Sequence, residues 1–173
     1  GPTRESIDPV RYLSNHSSGR QGYAIAQALA DLGADVTLIS GPTALPKPLG
    51  PDVIDIETAA QMQSAVETAL PADIFVAVAA VADWRPAAAS MQKTKKPDGG
   101  PQPLQLVENP DILRSVCMSD KRPELVVGFA AETHDVLRLA RAKRVRKGCD
   151  WIVANDVSGD VMGGQDNEMI IVT

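Results

Sequence analysis

The sequence predicts a Rossmann-like α/β fold in three layers (α/β/α), with a mostly parallel β-sheet and one long lid loop. The first observation is an alternation along the chain, in which short apolar runs of strand length are separated by stretches with apolar residues at helical spacing. The second is the continuously apolar run IFVAVA at 74–79, which suits a strand covered on both faces in the middle of a parallel sheet. Alternation of this kind is typical of doubly wound α/β proteins.

The individual elements follow from the same two periodicities. Residues 22–32 are predicted to be helical, because Ala24, Ile25, Ala28 and Leu29 recur at helical spacing and Gly33 then ends the pattern. The other predicted elements are strands at 34–40, 53–56, 74–79, 125–129, 151–154 and 169–172, a helix at 58–70 that Thr58 caps, and an Arg- and Lys-rich helix at 135–147.

Residues 84–103 break this alternation, because they are rich in Pro, Gly, Lys and Ala and show no periodicity. The segment is too long for a simple connector, so we interpret it as a lid or binding loop. The chain opens on the turn-like Gly1-Pro2-Thr3 and stops inside an apparent strand at Thr173. We therefore expect residues 1–173 to be a single domain that is truncated at both ends.

The composition excludes several classes of function. The 173 residues carry a formal net charge of −5 and 3% aromatic residues, whereas nucleic-acid binding calls for a basic excess or aromatic platforms. No apolar run approaches the roughly 18–20 residues of a membrane span, so we expect no membrane association. Cys117 and Cys149 lack the spacing of metal ligands or of a disulfide framework, which favours a reducing cytoplasm.

A turn for phosphate binding is predicted just before the first helix, in SSGRQG at 17–22. A helix N-terminus presents free N–H groups and the positive end of the helix dipole, and both attract phosphate. Gly19 would let the backbone approach a ligand closely, and Gly22 would permit tight packing of the helix. The spacing is that of the dinucleotide fingerprint with Ser17 in place of its first glycine. A Ser-rich helix cap explains the pattern about equally well.

Two nucleotide-binding classes fit the sequence poorly. A dinucleotide-binding protein needs Asp or Glu at the end of its second strand to hold the ribose, and this chain has Ser40-Gly41-Pro42 there. The sequence also contains no GxxxxGK[ST] run, which excludes an ordinary P-loop ATPase.

Six ordered motifs resemble those of one enzyme family. The opening, GPTRESIDPVRYLSNHSSG at 1–19, is similar to the start of phosphopantothenate–cysteine ligases, also called phosphopantothenoylcysteine synthetases. The others are AAVADW at 79–84, KTKK at 93–96, NPDIL at 109–113, GFAAET at 128–133, and Lys143 with Lys147 ahead of AND at 154–156. The motifs span nearly the whole chain and resemble the bacterial CTP-dependent type, as found in the bifunctional coenzyme A biosynthesis protein.

The resemblance implies a two-step ligase reaction. The carboxylate of 4′-phosphopantothenate attacks the α-phosphorus of CTP, which releases pyrophosphate and leaves an acyl-cytidylate. The amine of L-cysteine then attacks this mixed anhydride, giving phosphopantothenoylcysteine and CMP. The family uses Mg²⁺ and needs no activated side-chain nucleophile. The sequence agrees with that, because His16 and His134 lie far apart and no Ser-His-Asp or Cys-His arrangement is visible.

The resemblance assigns catalytic roles to Asn15 and Lys93. Asn15 would bind the carboxyl region of the pantothenoyl group and stabilise the acyl-cytidylate, and Lys93, in the predicted lid, would meet the charge that develops on phosphorus. Arg11 and Ala80 are implied to contact the substrate. A dimer-interface role is the other function considered for Arg11. Taken alone, Asn15 is an ordinary turn or cap residue, and Arg11 is a plain surface arginine. The neighbours of Lys93, Lys95 and Lys96, are interpreted as solvated charges.

The resemblance also implies a nucleotide site at the carboxyl edge of the sheet, where open α/β proteins bind ligands. Asp83 would act there through Mg²⁺, although a loop-start Asp that caps a turn is the alternative. Phe129 would border the nucleotide unless it belongs to the core, and Lys143 and Lys147 share one face of a helix that is otherwise a solvated basic one. The implied nucleotide-binding residues are Ser17, Ser18, Gly19, Ala77, Val78, Ala79, Asp83, Lys93, Asn109, Pro110, Asp111, Ile112, Phe129, Lys143 and Lys147.

Further expectations and two alternatives complete the prediction. The family is dimeric, so we expect a homodimer, and its bacterial members are commonly fused to a flavin-dependent decarboxylase that this chain does not resemble, so no FMN is expected. The first alternative is an NAD(P)-dependent oxidoreductase, which would need the missing acid or an arginine and a Tyr-Lys pair. The second is a non-catalytic nucleotide-binding module, which would have no use for a carboxylate-binding Asn15.

Overall fold

The computed structural model describes residues 1–95, 100, 103–157 and 169–173. Within these ranges the chain has a mixed α/β fold with a mostly parallel sheet at its core, which confirms the predicted fold class. The helices are α1 (Arg20–Asp31), α2 (Ala59–Ala69), α3 (Ile112–Cys117) and α4 (Val136–Lys147). The strands are β1 (Arg4–Asp8), β2 (Arg11–Ser14), β3 (Thr37–Ser40), β4 (Asp52–Asp55), β5 (Ile74–Ala77), β6 (Trp84–Pro86), β7 (Leu106–Glu108), β8 (Leu125–Glu132), β9 (Trp151–Asp156) and β10 (Met169–Val172).

The core sheet has four strands in the order β10-β9-β8-β5. The pairs β5–β8 and β8–β9 are parallel, whereas β10 pairs with β9 in the antiparallel sense. Val126 and Ala130 on β8 are fully buried, as is Ile152 on β9, because helices cover this part of the sheet. The buried core residues come from the sheet, from α2, α3 and α4, and from adjoining loops: Met62, Val66, Ile112, Leu113, Val116, Cys117, Val126, Ala130, Ala140, Cys149, Ile152 and Ala154.

Strands β3 and β4 form a separate parallel pair with Leu38 opposite Val53. In the part of the chain that the structure describes, no strand ladder joins this pair to the four-stranded sheet. Ile39 and Ile56 instead pack against the buried core, so apolar contact holds the pair in place.

The predicted cap of the second helix is confirmed. Thr58 accepts a hydrogen bond from the backbone N–H of Gln61 (3.2 Å), and the Gln61 side chain accepts one from the backbone N–H of Thr58 (3.0 Å). This reciprocal pair satisfies two N–H groups that a helix start otherwise leaves unpaired.

Four strands lie where the sequence predicts only turns or loops. β1 and β2 form an antiparallel hairpin within the opening motif. β6 pairs with β7, so strand pairing extends into the segment 84–103 that the sequence predicts to be a lid. Three- to five-residue strands carry too little alternation for their periodicity to stand out from a loop. Residues 96–99, 101 and 102 of the predicted lid lie outside the described residues.

No helix in the described ranges has both the length and the apolar character needed to cross a membrane.

Candidate active site

The predicted phosphate turn leads directly into α1. Gly19 has φ +79°, in the left-handed region, and a Cβ built there would lie 2.6 Å from Thr43 Cγ2, so both conformation and space require glycine. The Ser17 hydroxyl accepts from the Gly19 N–H and the Ser18 hydroxyl from the Arg20 N–H, both at 3.4 Å. These two bonds are long, and Gly19 itself brings no capping side chain. The turn therefore leaves the positive end of a twelve-residue helix available to an anion.

Gly22 holds α1 against the loop that follows β5. A Cβ at Gly22 would lie 3.7 Å from Val78 Cβ, which is an ordinary van der Waals distance. Gly22 therefore lies close to Val78, and alanine would also fit at this position. The contact nonetheless places the phosphate turn beside Val78, one of the residues predicted to meet the nucleotide.

The loop after β5, residues 78–83, is fixed by three side chains from other parts of the chain. The hydroxyl of Thr3, which is fully buried, accepts from the backbone N–H of Ala82 at 2.9 Å. The amide of Asn15 donates to the carbonyl of Val81 at 3.0 Å, and that of Asn109 donates to the carbonyl of Ala82 at 2.8 Å. The structure thus brings Asn15 and Asn109 to the same loop that carries Asp83.

The NPDIL segment continues from this loop into α3. The Asn109 N–H donates to the Asp83 carbonyl at 2.9 Å, which ties the two segments together. Asp111 caps α3 by accepting from the Arg114 N–H at 3.1 Å, and its other carboxylate oxygen forms an ion pair with Lys147. Burial alone would raise the pKa of Asp111, but the hydrogen bonds from Lys147 and the Arg114 N–H outweigh it and lower the pKa. Asp111 is therefore ionised and orients Lys147.

Helix α4 supplies a pair of lysines to this edge of the sheet. Lys143 and Lys147 are four residues apart and half-buried, on one face of the helix. Burial lowers the pKa of Lys143, and the positive charge of Lys147 lowers it further, whereas Glu132 and Asp83 act in the opposite direction. Two partly desolvated cations that repel each other gain from the arrival of a polyanion, so this face suits a polyphosphate.

Lys93 lies in a different setting from the α4 lysines. Its side chain is exposed, and the residue that follows it, Thr94, is bonded to the β1–β2 hairpin. Asp8 accepts from the Thr94 N–H at 3.1 Å, and Arg11 Nη2 donates to the Thr94 carbonyl at 2.8 Å. The segment that carries Lys93 is thus bonded to the hairpin that leads into Asn15. None of the hydrogen bonds among the described residues joins this segment to α4.

The donor set fits a magnesium ion carried mainly by a substrate. Asp83 is exposed, and the described residues contain no cluster of three or more His, Cys, Asp or Glu side chains that could form a protein cage. Mg²⁺ usually keeps several waters and binds through one or two carboxylates together with substrate phosphates. A single carboxylate, Asp83, near Lys143 matches that pattern.

A cleft of about 420 Å³ opens at the carboxyl end of β3, next to the phosphate turn. An NAD(P)-binding protein would hold its ribose here with an acid or an arginine. Ser40 instead donates to the Gly41 carbonyl at 2.9 Å and lies 3.1 Å from the Tyr23 hydroxyl. Lys47, also on the cleft, is paired with Asp55 at 2.6 Å. At the end of β3, where a dinucleotide-binding protein has its ribose acid, this chain therefore has the hydroxyl of Ser40, and the acids that line the cleft, Asp55 and Glu57, come from β4 and the residues after it.

Comparison of the chain with known protein families identifies the family to which it belongs. The family model described as the DNA/pantothenate metabolism flavoprotein C-terminal domain matches residues 1–173. The chain belongs to this family. A curated relative of this DNA/pantothenate metabolism flavoprotein family, the coenzyme A biosynthesis bifunctional protein CoaBC of Vibrio cholerae, is 50% identical over 99% of this chain and 44% of its own length. The chain thus spans less than half of that relative.

Solved structures support the same family. The C-terminal domain of a coenzyme A biosynthesis bifunctional protein CoaBC has a TM-score of 0.77 and 39% identity, covering 100% of this chain and 82% of its own. A Cab2 mutant crystallised in complex with phosphopantothenate-cysteine has a TM-score of 0.78, covering 100% of this chain and 74% of its own. At 16% identity, that second likeness shows the fold alone.

The nucleotide-binding residues predicted for this family member outside the lid come from the turn before α1, from β5 and the loop after it, from the start of α3, and from β8 and α4. Phe129 is half-buried on β8, next to Gly128, which pairs with Ala77, so it borders the same edge of the sheet as Asn109 and Lys147. Two residues that fix the site had no predicted role, Thr3 and Asp8. Both lie inside the opening motif. In the sequence, Thr3 is only a small polar residue next to a turn, and Asp8 is only the first residue of an Asp-Pro pair, so neither pattern indicates a bond to a distant segment.

Proposed function

We propose that this chain catalyses the phosphopantothenate–cysteine ligase reaction of coenzyme A biosynthesis as one nucleotide-binding domain. In the first step the carboxylate of 4′-phosphopantothenate attacks the α-phosphorus of CTP, and the bond to pyrophosphate breaks. In the second, the amine of L-cysteine attacks the acyl carbon, CMP leaves, and the amine loses a proton. The observation that carries the proposal is that Asn15 and Asn109 both bond to the loop that carries Asp83, and that Asp111, two residues after Asn109, holds Lys147, in a chain whose whole length matches the family model.

The α4 lysines fit the triphosphate. A nucleotide triphosphate brings several negative charges, and the leaving pyrophosphate gains charge as the bond breaks. Asp111 orients Lys147 toward that anion, and Lys143, whose pKa burial lowers, would become more strongly protonated against it. The positive end of α1, reached through Ser17, Ser18 and Gly19, adds N–H donors on the other side.

Asn15 and Lys93 fit the reacting centre. Asn15 uses one N–H of its Nδ2 to hold the Val81 carbonyl, and among the described residues no hydrogen bond is formed by the other, so this second N–H can donate to an oxygen of the pantothenoyl carboxyl region. Lys93 lies on the segment next to Arg11 and would place its ammonium against the charge that develops on phosphorus. Arg11 and Ala80 would contact the substrate, and Ala77, Val78, Ala79, Pro110, Ile112 and Phe129 would enclose the base and sugar.

Magnesium, the nucleotide base and the oligomeric state are parts of the same proposal. Bound Mg²⁺ would neutralise phosphate charge, with Asp83 as its protein ligand. CTP is proposed over ATP by similarity to the bacterial type. A homodimer is proposed as well, and the exposed side chains of Val10, Tyr12 and Trp84 on the neighbouring β1–β2 hairpin and β6 give it an apolar surface.

Pyrophosphate release without cysteine tests the first step in isolation. The protein is mixed with 4′-phosphopantothenate, Mg²⁺ and either CTP or ATP, alongside Asn15→Ala, Lys93→Ala and the control Lys95→Ala, an exposed lysine two residues away. We expect CTP-dependent release that Lys93→Ala and Asn15→Ala slow by at least about a hundredfold and Lys95→Ala preserves. Release with ATP alone would overturn the base assignment. CTP binding without release from either nucleotide would favour the non-catalytic module, and no CTP binding would refute the proposal.

A further inference from the structure

The carboxylate of Asp8 is the most heavily bonded acid of the described chain, and nothing in the proposed reaction uses it. Its side chain is fully buried at the turn of the β1–β2 hairpin. Oδ1 accepts from the backbone N–H groups of Val10 (2.9 Å) and Arg11 (3.0 Å), which shapes the turn. Oδ2 accepts from Nε (3.0 Å) and Nη2 of Arg11 and from the N–H of Thr94 (3.1 Å), 86 residues along the chain.

The two oxygens of Asp8 therefore bond to different parts of the chain: Oδ1 to the hairpin turn, and Oδ2 to Arg11 and to Thr94. A hairpin turn needs only the bonds to Oδ1. The bonds to Oδ2 reach out of the hairpin and, together with the bond from Arg11 Nη2 to the Thr94 carbonyl, hold both polar groups of the Thr94 backbone. A further bond, from the Ser90 N–H to the Ile7 carbonyl at 2.9 Å, holds the same segment a few residues earlier.

We propose that Asp8 is a positioning residue, whose carboxylate clamps the backbone at Thr94 to the hairpin and thereby sets the place of Lys93. The inference rests on the proposed function, in which Lys93 acts on the nucleotide. If this segment were not held, both its backbone and the exposed Lys93 side chain would sample many conformations. Each turnover would then have to offset the conformational entropy lost when both become ordered. With Thr94 clamped, only the Lys93 side chain remains to be ordered.

The clamp also accounts for the orientation of Arg11. Nε and Nη2 donate to Asp8, and Nη2 also donates to the Thr94 carbonyl. Among the described residues no hydrogen bond is donated by Nη1. One edge of the guanidinium is thus locked, and the remaining donors can meet an anionic substrate. The hydrogen bond from Arg11 holds the pKa of Asp8 well below the usual carboxyl range, although desolvation acts the other way. The carboxylate stays charged, and the clamp stays formed, across the neutral range of pH.

Asp8→Asn tests the clamp, because an amide cannot accept from all five donors that the carboxylate serves. The matched control is Asp135→Asn, which removes the charge from another Asp–Arg pair at i,i+3 (Asp135 with Arg138, 2.7 Å) that joins no second segment. The first readout needs no activity: the amide exchange rate of Thr94, measured by NMR. We expect exchange at least about tenfold faster in Asp8→Asn, and no change in Asp135→Asn. Unchanged protection of Thr94 in Asp8→Asn would overturn the proposal.

The second readout separates positioning from general damage. In single-turnover pyrophosphate release, we expect Asp8→Asn to lower the rate constant by about ten- to a hundredfold, with the CTP concentration for half-maximal rate changing less than about twofold. In a Lys93→Gln background the same substitution should lower the rate less than about twofold, since the lysine it positions is gone. An equal loss in both backgrounds would overturn a role through Lys93. If the unaltered protein releases no pyrophosphate from any nucleotide, the proposed function fails, while the exchange rate of Thr94 still decides whether Asp8 forms the clamp.

Discussion

Gly128→Ala perturbs the point at which the core meets the candidate nucleotide site. Gly128 lies in the middle of β8, and a Cβ built there would lie 2.8 Å from Ile152 Cδ1 and 2.8 Å from Leu113 Cδ2. Carbon atoms pack best at roughly 3.5–4.0 Å, so each neighbour must move by about 0.7–1.2 Å. Ile152 is fully buried and Leu113 nearly so, which leaves neither side chain open space to move into.

The expected loss of stability follows from two opposing effects. Overpacking a filled core costs about 1–3 kcal/mol. The backbone at Gly128 is not left-handed, so alanine meets no conformational strain, and it recovers about 0.4–1 kcal/mol through the lower entropy of its unfolded chain. The net loss is about 1–2 kcal/mol. With a urea m-value of about 2 kcal/mol/M, the unfolding midpoint should fall by about 0.5–1 M.

Urea unfolding followed by tryptophan fluorescence measures this change, with Gly22→Ala as the control. A Cβ at Gly22 meets Val78 at an ordinary 3.7 Å, and alanine is the better helix former, so this substitution should leave the midpoint unchanged or raise it. Calorimetry should also show weaker CTP binding by Gly128→Ala, because Leu113 belongs to the helix that Asp111 caps. A Gly128→Ala midpoint equal to that of the unaltered protein, or an equal fall in Gly22→Ala, would refute the packing argument.

Three further outcomes are expected. Because burial lowers the pKa of Lys143 in the folded state, the unfolded chain binds more protons as the pH approaches 10.5. The free energy of unfolding, relative to Lys143→Met, should therefore rise with pH on the approach to 10.5, and urea titrations at several pH values measure this. Thr3→Val should lower the free energy of unfolding by about 1–3 kcal/mol, since the buried N–H of Ala82 loses its acceptor, and an unchanged urea midpoint would contradict this. Thr58→Ala should cost about 1 kcal/mol in the same assay through loss of the helix cap, whereas Thr68→Ala, which removes an exposed hydroxyl inside the same helix, should cost almost nothing.

The long elements of this fold were predictable because their side chains repeat. Helix α1 shows the 3.6-residue period over three turns, and the strand at β5 is apolar throughout, so both were placed within a few residues. The hairpin β1–β2 and the pair β6–β7 were not, since strands of three to five residues obtain their stability from pairing across long sequence distances. The end of β8 extends to Glu132, three residues past its prediction, because its pairing with Asp156 continues there.

The candidate site divides in the same way. The types of residue proposed to bind phosphate and nucleotide could be recognised from ordered motifs, and Asn15 and Asn109 do bond to the same loop. The support beneath them could not be recognised, because Thr3 acts through a single buried hydroxyl and Asp8 through a bond that spans 86 residues. A motif records which groups a reaction needs, whereas distant pairings of this kind appear only when the chain is folded.

The isolation of the β3–β4 pair has a consequence for local unfolding. In the described part of the chain these four-residue strands share a ladder only with each other, so they can separate without breaking a ladder bond of β8, and the packing of Ile39 and Ile56 resists their separation. Amides such as those of Val53 and Ile54 should therefore exchange hydrogen through a subglobal opening, far faster than the amides of Val126 and Val127, which wait for the whole domain to unfold. The cleft beside Ser40 would open and close with the pair, independently of the edge that carries the lysines.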